Sequence, residues 1–389
     1  MNRRVVVFTA HFHPHVGGVE RFSRELWKRV ATRGWEVWVV TTNTNHAPAE
    51  ETIDGLQVRR LAALQILQDR LPLPVNPGAL RRMVRELGAW EPAVVVTNTR
   101  FFLTSVYGVH FARSHRLPIL HIDHGSQHIR IGSAFGDRIS AGIDHTVGAW
   151  VLRSATRCVG VSQAVAGFLA HLGRPDAGVL YNGIDCEAFH AARGIARQRL
   201  GIEPTVPLAV YVGRLIEDKG LLVLLEALDL LGVQELHLAV AGDGPLMREA
   251  QTRTAGNPRV HLLGSVRPQE IAELLADCDL FVHPSAYPEG LPTAVLEAGA
   301  AGAAIIATPM GGTVEIIPTS EMGLTVPPRA PAALADAMRS LLVAPARRRQ
   351  LGYNVQQHVR QRFDWERIAD QAEAELVALL GTSGCRRSQ

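Results

Sequence analysis

The sequence predicts an α/β protein made of two facing Rossmann-like domains with parallel sheets. Three observations predict it. Short apolar runs alternate with helix-periodic segments from end to end, the rhythm of a parallel sheet with helices on both faces. The runs are continuous rather than alternating, as in strands covered on both sides. The rhythm breaks once, between Asp185 and Val206, and then restarts.

The composition suits that plan. A chain of 389 residues, 47% hydrophobic and 20% charged, can build sizeable cores and two or three domains. A net charge of +3 is too mild to argue for a nucleic-acid partner. Cys158, Cys186, Cys278 and Cys385 are scattered, with no metal spacing, so free thiols in a reducing compartment are expected. The opening MNRRVVVFTAHFHPH has too short an apolar core for a signal peptide and reads as a buried strand. No apolar run has the length of a membrane span. A cytoplasmic protein, at most peripheral on the inner face of the membrane, is the expectation.

In the first half, Val5–Phe8, Val37–Val40, Ala93–Val96 and Ile119–Ile122 read as strands. Val19, Phe22, Leu26 and Val30 recur at helical spacing, with Glu20, Arg21, Arg24 and Lys28 elsewhere on the wheel. Residues 1–185 make a first domain. The stretch DCEAFHAARGIARQRLGIEPTVP is polar, Arg-rich and closed by two prolines, so 186–205 reads as a linker with a short helix. The second domain, 206–362, opens with strand Leu208–Val212. Helix Leu221–Leu231, strand Leu236–Val240, a helix from Pro245, strand Val260–Leu263, a helix from Gln269 and strand Leu280–His283 follow. Leu291-Pro292 suits a helix start, with proline at the first helical position, where the missing N–H would be unpaired anyway. Strand Ile305–Ala307 comes next. Residues 363–380 read as a last helix, and 381–389 as a frayed tail.

Open parallel sheets bind ligands beyond the carboxyl ends of their strands, so the residues there matter most. Gly17-Gly18, after the first strand, permits close backbone approach before a helix N-terminus; a plain tight turn is the alternative. His124 follows Ile119–Ile122, within Asp123-His124-Gly125. The neighbouring His11, His13, His15, His121 and His128 fit no closed zinc spacing, so no metal is expected. Arg214 and Lys219, on the loop after Leu208–Val212, suit a diphosphate: one planar fork and one mobile point charge. The alternative is a solvated turn, with Arg214 paired to Glu217 or Asp218. Ala241–Pro245 reads as a structural turn. The stretch Ser285–Pro309 carries only two charges, Glu289 and Glu297. Glu297 lies in a helix apolar nearly all round, and a buried carboxylate needs donors. Sugar hydroxyls would serve, and so would a local Arg or backbone amide.

These residues sit inside motifs that resemble the retaining glycosyltransferases of family 4, of the two-domain GT-B fold. The motifs are PHVGGVERF (14–22), DHG (123–125), GVSQAV (160–165), YNGID (181–185), VGRLIEDKG (212–220), AGDGPL (241–246), HLLGSV (261–266), PSAYPEGLPTAVLEAGAAGAAIIAT (284–308) and FDWERIADQ (363–371). The pair Glu289 and Glu297 matches the family's Glu-x7-Glu signature. The resemblance implies that Arg214 and Lys219 bind the diphosphate of a sugar-nucleotide donor. It implies that Glu297 holds the ribose, Glu289 orients the donor sugar and His124 contacts the transferred sugar. Gly17, Gly18, Gly290, Leu291 and Val266 would complete the donor site, and the final helix would cross back to the first domain. Many members have Phe-Gly where this chain has Leu291-Pro292, so one amide near the phosphates is missing. The segment 126–149 varies across the family and is not readable by motif.

The implied activity is a retaining, metal-independent transfer of a sugar from a UDP- or GDP-sugar to a glycan, glycolipid or small-molecule acceptor, in cell-surface polysaccharide or glycolipid synthesis. No cofactor beyond the donor substrate is expected. Arg81, Arg82 and Arg85 offer a face for an anionic membrane, or simply a solvated helix surface. A sugar-nucleotide epimerase of the same fold, or a non-catalytic partner subunit, are the alternatives; the latter would be expected to have lost one of Arg214, Lys219, Glu289 or Glu297.

Overall fold

The structure, a computed structural model, describes every residue except Met1, Val16, 67–70, 130–132, 233–235 and 387–389. Val16, within the motif at 14–22, thus lies outside the described residues, as do three positions of the segment 126–149. The chain forms two compact units, Met1–Gly183 with Trp365–Gln389, and Ile184–Asp364. No helix among the described residues is long and apolar enough to cross a membrane.

The first unit is built on strands β1 (Arg4–Phe8), β2 (Glu36–Asn43), β3 (Glu50–Ile53), β4 (Leu56–Ile66), β5 (Leu71–Pro74), β6 (Val94–Asn98), β7 (Ile119–Asp123), β8 (Arg157–Gly160) and β9 (Gly178–Val179). Their order is β3-β4-β2-β1-β6-β7-β8-β9, with β5 on β4. β1 lies centrally, pairing Val5 with Val37 on one side and Val94 on the other. Val5, Val6 and Val7 are wholly buried, which is why the run is unbroken. The strand order reverses at β1, so the loop from Thr9 to Gly17 leaves at a switch point.

The sheet has an antiparallel edge that the strand pattern did not announce. β3 and β5 both pair antiparallel with β4. The signal for the β3–β4 hairpin was present: Asp54-Gly55 between Ile53 and Leu56, with φ of 50° and 83°. Two positive φ values are what a tight type I′ hairpin requires, and Asp-Gly is among its preferred pairs.

Helix Trp365–Arg386 groups with this first unit. Trp365, Ile368, Ala369, Ala372 and Leu376 bury one stripe of it. Arg33 pairs with Glu366 at 2.7 Å and Asp370 at 2.9 Å, and Arg29 with Glu366 at 3.0 Å. The tail expected to fray from 381 instead continues this helix through Arg386; 387–389 lie outside the described residues.

The second unit carries β10 (Leu208–Val212), β11 (His237–Ala241), β12 (Val260–Gly264), β13 (Leu280–His283), β14 (Ala304–Ala307) and β15 (Leu324–Thr325). All are parallel, in the order β12-β11-β10-β13-β14-β15. The switch point lies between β10 and β13, so the loops leaving those two strands meet. Leu221, Leu224, Leu225 and Leu231 of helix Leu221–Leu231 pack with Leu334, Met338 and Leu341 of helix Pro331–Leu342 in one core.

Several boundaries differ from expectation. The stretch expected as a linker holds two helices, Cys186–His190 and Ala196–Leu200, inside the second unit. Polar residues anchor them: Asp185 caps the first through the Ala188 amide at 3.0 Å, and the Arg197 amide donates to Asp277 at 2.9 Å. The helix expected from Pro245 begins at Met247, after the turn, and the one expected from Gln269 begins at Pro268. Pro292 is the N-cap of helix Thr293–Ala301 rather than its first residue.

That helix packs against helix Pro345–Phe363. Their approach is backbone-close: a Cβ on Gly352 would land on the carbonyl oxygen of Gly302. Gly352→Ala should therefore lower the melting temperature. The alanine gains ~1 kcal/mol of helix propensity, but a carbonyl cannot step aside as a side chain can, and overpacking costs ~1–3 kcal/mol. Thermal unfolding checks this; a raised melting temperature would contradict the close approach.

Candidate active site

In the second unit the loops leaving β10 and β13 are laced together by backbone. The Ala286 amide donates to the Asp218 carbonyl at 2.8 Å, and the Ser285 hydroxyl to the same oxygen at 3.3 Å. Gly220, with φ of 76°, lies against the Pro284 carbonyl, where no Cβ fits. The buried Tyr211 hydroxyl donates to the carbonyls of Arg214 at 3.3 Å and Lys219 at 3.4 Å, holding the cation loop from beneath.

This lacing brings Lys219 to Glu289. Lys219 Nζ lies 2.5 Å from Glu289 Oε2, and His283 Nε2 lies 2.9 Å from Oε1. Burial alone would push the Glu289 carboxyl up. The His283 hydrogen bond and charge, with Lys219, outweigh it and bring the value down to about 2. Glu289 is thus an anion at any working pH. His283, at the end of β13, was missed by the sequence reading, which took it only as a strand residue. The third wall comes from the loop after β14: the Gly312 amide donates to the Glu289 carbonyl at 3.1 Å, and Gly311, with φ of 54°, has its Cβ position occupied by that same carbonyl.

Arg214 is exposed and forms no ion pair among the described residues. The alternative of a turn pairing Arg214 with Glu217 or Asp218 is not what forms; Asp218 lies 3.6 Å from Arg329 instead. Glu297 is 4% exposed, in helix Thr293–Ala301 beside Val295, Leu296 and Ala298. Gly290 and Leu291 lead into that helix, with Leu291 buried. Val266 is half-buried in the loop after β12. The turn Ala241–Pro245 is structural: the Leu215 amide donates to the Asp243 carbonyl at 2.9 Å, and that of Leu246 to Leu215 at 3.0 Å.

In the first unit Gly17 is the N-cap of helix Gly18–Thr32. A Cβ at Gly17 would strike the Glu20 carboxylate, which also lies 2.9 Å from His15. Gly17 therefore makes room for a buried acid, whereas Gly18 has open space about it. The His124 ring stands edge-on to Phe22 at 4.8 Å, and its Nε2 is buried with no hydrogen-bond partner among the described residues. Burial lowers its pKa from 6.5 to about 4, against the upward pull of Asp123.

Asp123, next to it, belongs to a network the sequence reading missed. Arg100, wholly buried, donates from Nη1 to Asp123 at 2.7 Å and from Nε to Asp144 at 2.9 Å. The Gly125 amide donates to Asp123 at 2.9 Å, which pins both flanks of His124. Arg100 stands just past the end of β6, where the strand-end rule would have found it.

Two family models match in tandem: "Glycosyltransferase Family 4" over residues 16–188 and "Glycosyl transferases group 1" over 193–358. An uncharacterized glycosyltransferase of Methanocaldococcus jannaschii is 24% identical over 94% of this chain and 95% of that one. The solved structure of sucrose-phosphate synthase from Thermosynechococcus elongatus superposes with a TM-score of 0.80 at 22% identity, over 98% of this chain and 100% of that one. Anabaena HepE, solved in complex with UDP-glucose, gives 0.75 at 20% identity, over 96% and 99%. The structures share the two-domain architecture, and with the two family models in tandem the chain is a glycosyltransferase of the GT-B type.

Proposed function

We propose that this enzyme transfers a glycosyl group from a nucleoside-diphosphate sugar with retention and without a metal ion. The observation that carries the reading is the cluster of Lys219, Glu289 and His283 at the switch point of the second sheet, with Arg214 on the same loop as Lys219 and in no ion pair among the described residues. A UDP-glucose complex of HepE, which has the same fold, supports a donor of this class.

In this reading the bond from the anomeric carbon to the diphosphate breaks, and its electron pair stays on the diphosphate oxygen. Arg214 and Lys219 meet that charge, the role fixed cations play best in a dry site. The acceptor hydroxyl attacks from the same face and gives its proton to the departing phosphate. Glu289, held anionic, fixes the donor sugar by its hydroxyls while sharing Lys219 with the diphosphate. Glu297 takes the ribose. Neutral His124 offers a ring nitrogen to the sugar.

The acceptor is a glycan or a lipid-linked sugar. Its support is a surface feature of the first unit: Phe135, Ile139 and Ile143 are exposed at helical spacing on helix Ala134–Ile143. Such a stripe suits a membrane face better than Arg81, Arg82 and Arg85, which are merely exposed.

Three outcomes are expected. Arg214→Ala and Lys219→Ala should each lower kcat about 10²–10³-fold with a UDP- or GDP-sugar, and Glu289→Ala similarly. Arg214→Ala, at an exposed site, should leave the melting temperature unchanged; near-normal turnover of Lys219→Ala would sink the diphosphate assignment. His124 should also make stability pH-dependent. The folded state keeps it neutral down to about 4 while the unfolded value is 6.5, so its contribution is whole above 6.5 and is lost as pH falls towards 4. Melts across that range should fall more steeply for wild type than for His124→Asn; equal slopes would rule out the buried neutral ring. Finally, Ile139→Asp should reduce sedimentation with anionic vesicles; equal sedimentation of the two proteins would remove the membrane face.

A further inference from the structure

Three histidines that the proposed chemistry does not use converge in the first unit. His128 lies in the loop after β7, His145 in the π-helical turn Asp144–Gly148, and His171 at the end of helix Gln163–His171. One potential ligand atom from each lies within 4.8 Å of the other two. The rings stand 5.3 Å apart for His128 and His145, and 5.2 Å for His145 and His171. No linear spacing announces the group, because the three come from separate elements.

Three imidazoles around one point are a donor set for Zn²⁺ and its divalent neighbours. A second feature points the same way. His128 Nδ1 lies 2.7 Å from Asp144 Oδ2, and Asp144 is itself buried and held by Arg100. A carboxylate that accepts one ring N–H fixes the tautomer and leaves the other nitrogen, here Nε2, as a lone-pair donor. That support is what orients metal-binding histidines. Asp144 and its neighbour His145 share one π-helical turn, a distortion that recurs at functional sites. Phe168 stands edge-on to His128 at 5.0 Å and gives the group an apolar flank.

We propose that His128, His145 and His171 bind one divalent transition-metal ion, Zn²⁺ foremost, with water as the fourth ligand. Zn–N bonds of about 2.0–2.1 Å in a tetrahedron need nitrogens about 3.4 Å apart. His145 and His171 are exposed and can swing to close the remaining gap. The ion would tie the loop that follows His124 to the turn and the helix end. It stands apart from sugar transfer, whose charge falls to Arg214 and Lys219.

The test uses the full chain without a histidine tag, stripped with a chelator and dialysed against about 10 µM Zn²⁺, with bound metal counted by mass spectrometry. Wild type should hold one ion per chain, and His145→Ala/His171→Ala less than a tenth of that. Both sites are exposed, so the variant should melt like wild type without metal, and Zn²⁺ should raise the melting temperature of wild type alone. His15→Ala, from the separate group His11, His15 and Glu20, should keep the ion. Equal zinc on wild type and the double variant, no zinc on wild type, or zinc lost from His15→Ala would each overturn the proposal.

Discussion

The candidate site of the second unit turns on one contact, the ion pair between Lys219 and Glu289. Their side chains are only 12% and 21% exposed, so each has given up much of its hydration. A partly desolvated pair of this kind adds little net stability, because lost solvation offsets the Coulomb attraction. It persists because the backbone leaves it no choice. The chain leaves β10 and β13 at adjacent strand ends, and the Asp218 carbonyl accepts from both Ala286 and Ser285. Geometry set by main-chain bonds thus forces a cation and an anion together at a place where a ligand can intervene. His283, on the other carboxylate oxygen, joins Lys219 in holding Glu289 in its charged form.

The first unit solves a related problem by different means. Arg100 is wholly buried, and a lone buried guanidinium would be prohibitive. Two aspartates, Asp123 and Asp144, share it, and Asp123 is held well below the usual carboxylate range: Arg100 and His121 outweigh the upward push of burial. The network is charged yet rigid. His124, half-buried, sits between its fixed points while its own ring stays neutral, edge-on to Phe22. One loop therefore presents a charged face inward and an uncharged polar atom beside it.

How much of this was legible in the sequence follows from what each feature depends on. Strands such as Val5–Phe8 and Leu280–His283 were readable because burial on both faces leaves an unbroken apolar run. Gly220 and Gly311, in the loops that follow β10 and β14, stand where close backbone approach admits only glycine. The edge hairpin escaped because β3 is polar and part-exposed at the sheet's edge, although β4 buries Leu56, Val58 and Leu61; the Asp54-Gly55 turn is what betrays the pair. One short helix was legible in 186–205; the second escaped because each is only five residues long and buries too few apolar positions to show a period. The Arg100 network escaped for another reason: its partners lie 23 and 44 residues away, and no local pattern encodes such pairings.

Pro292 shows where residues and family resemblance pull apart. The family pattern places a glycine here, with an amide near the phosphates, and proline has none. As N-cap, Pro292 instead offers its carbonyl to the Val295 and Leu296 amides, both at 3.2 Å. The helix start is thereby secured without a side-chain cap. Under the proposed reading, the donor's diphosphate loses one fixed dipole and must find that charge elsewhere. Lys219 already shares its charge with Glu289. Arg214, exposed and without an ion pair among the described residues, is the group free to make up the difference. A planar guanidinium can meet two phosphate oxygens at once, which a point charge cannot. The substitution at 292 and the freedom of Arg214 are then two sides of one arrangement, in which phosphate recognition has shifted from backbone to side chain.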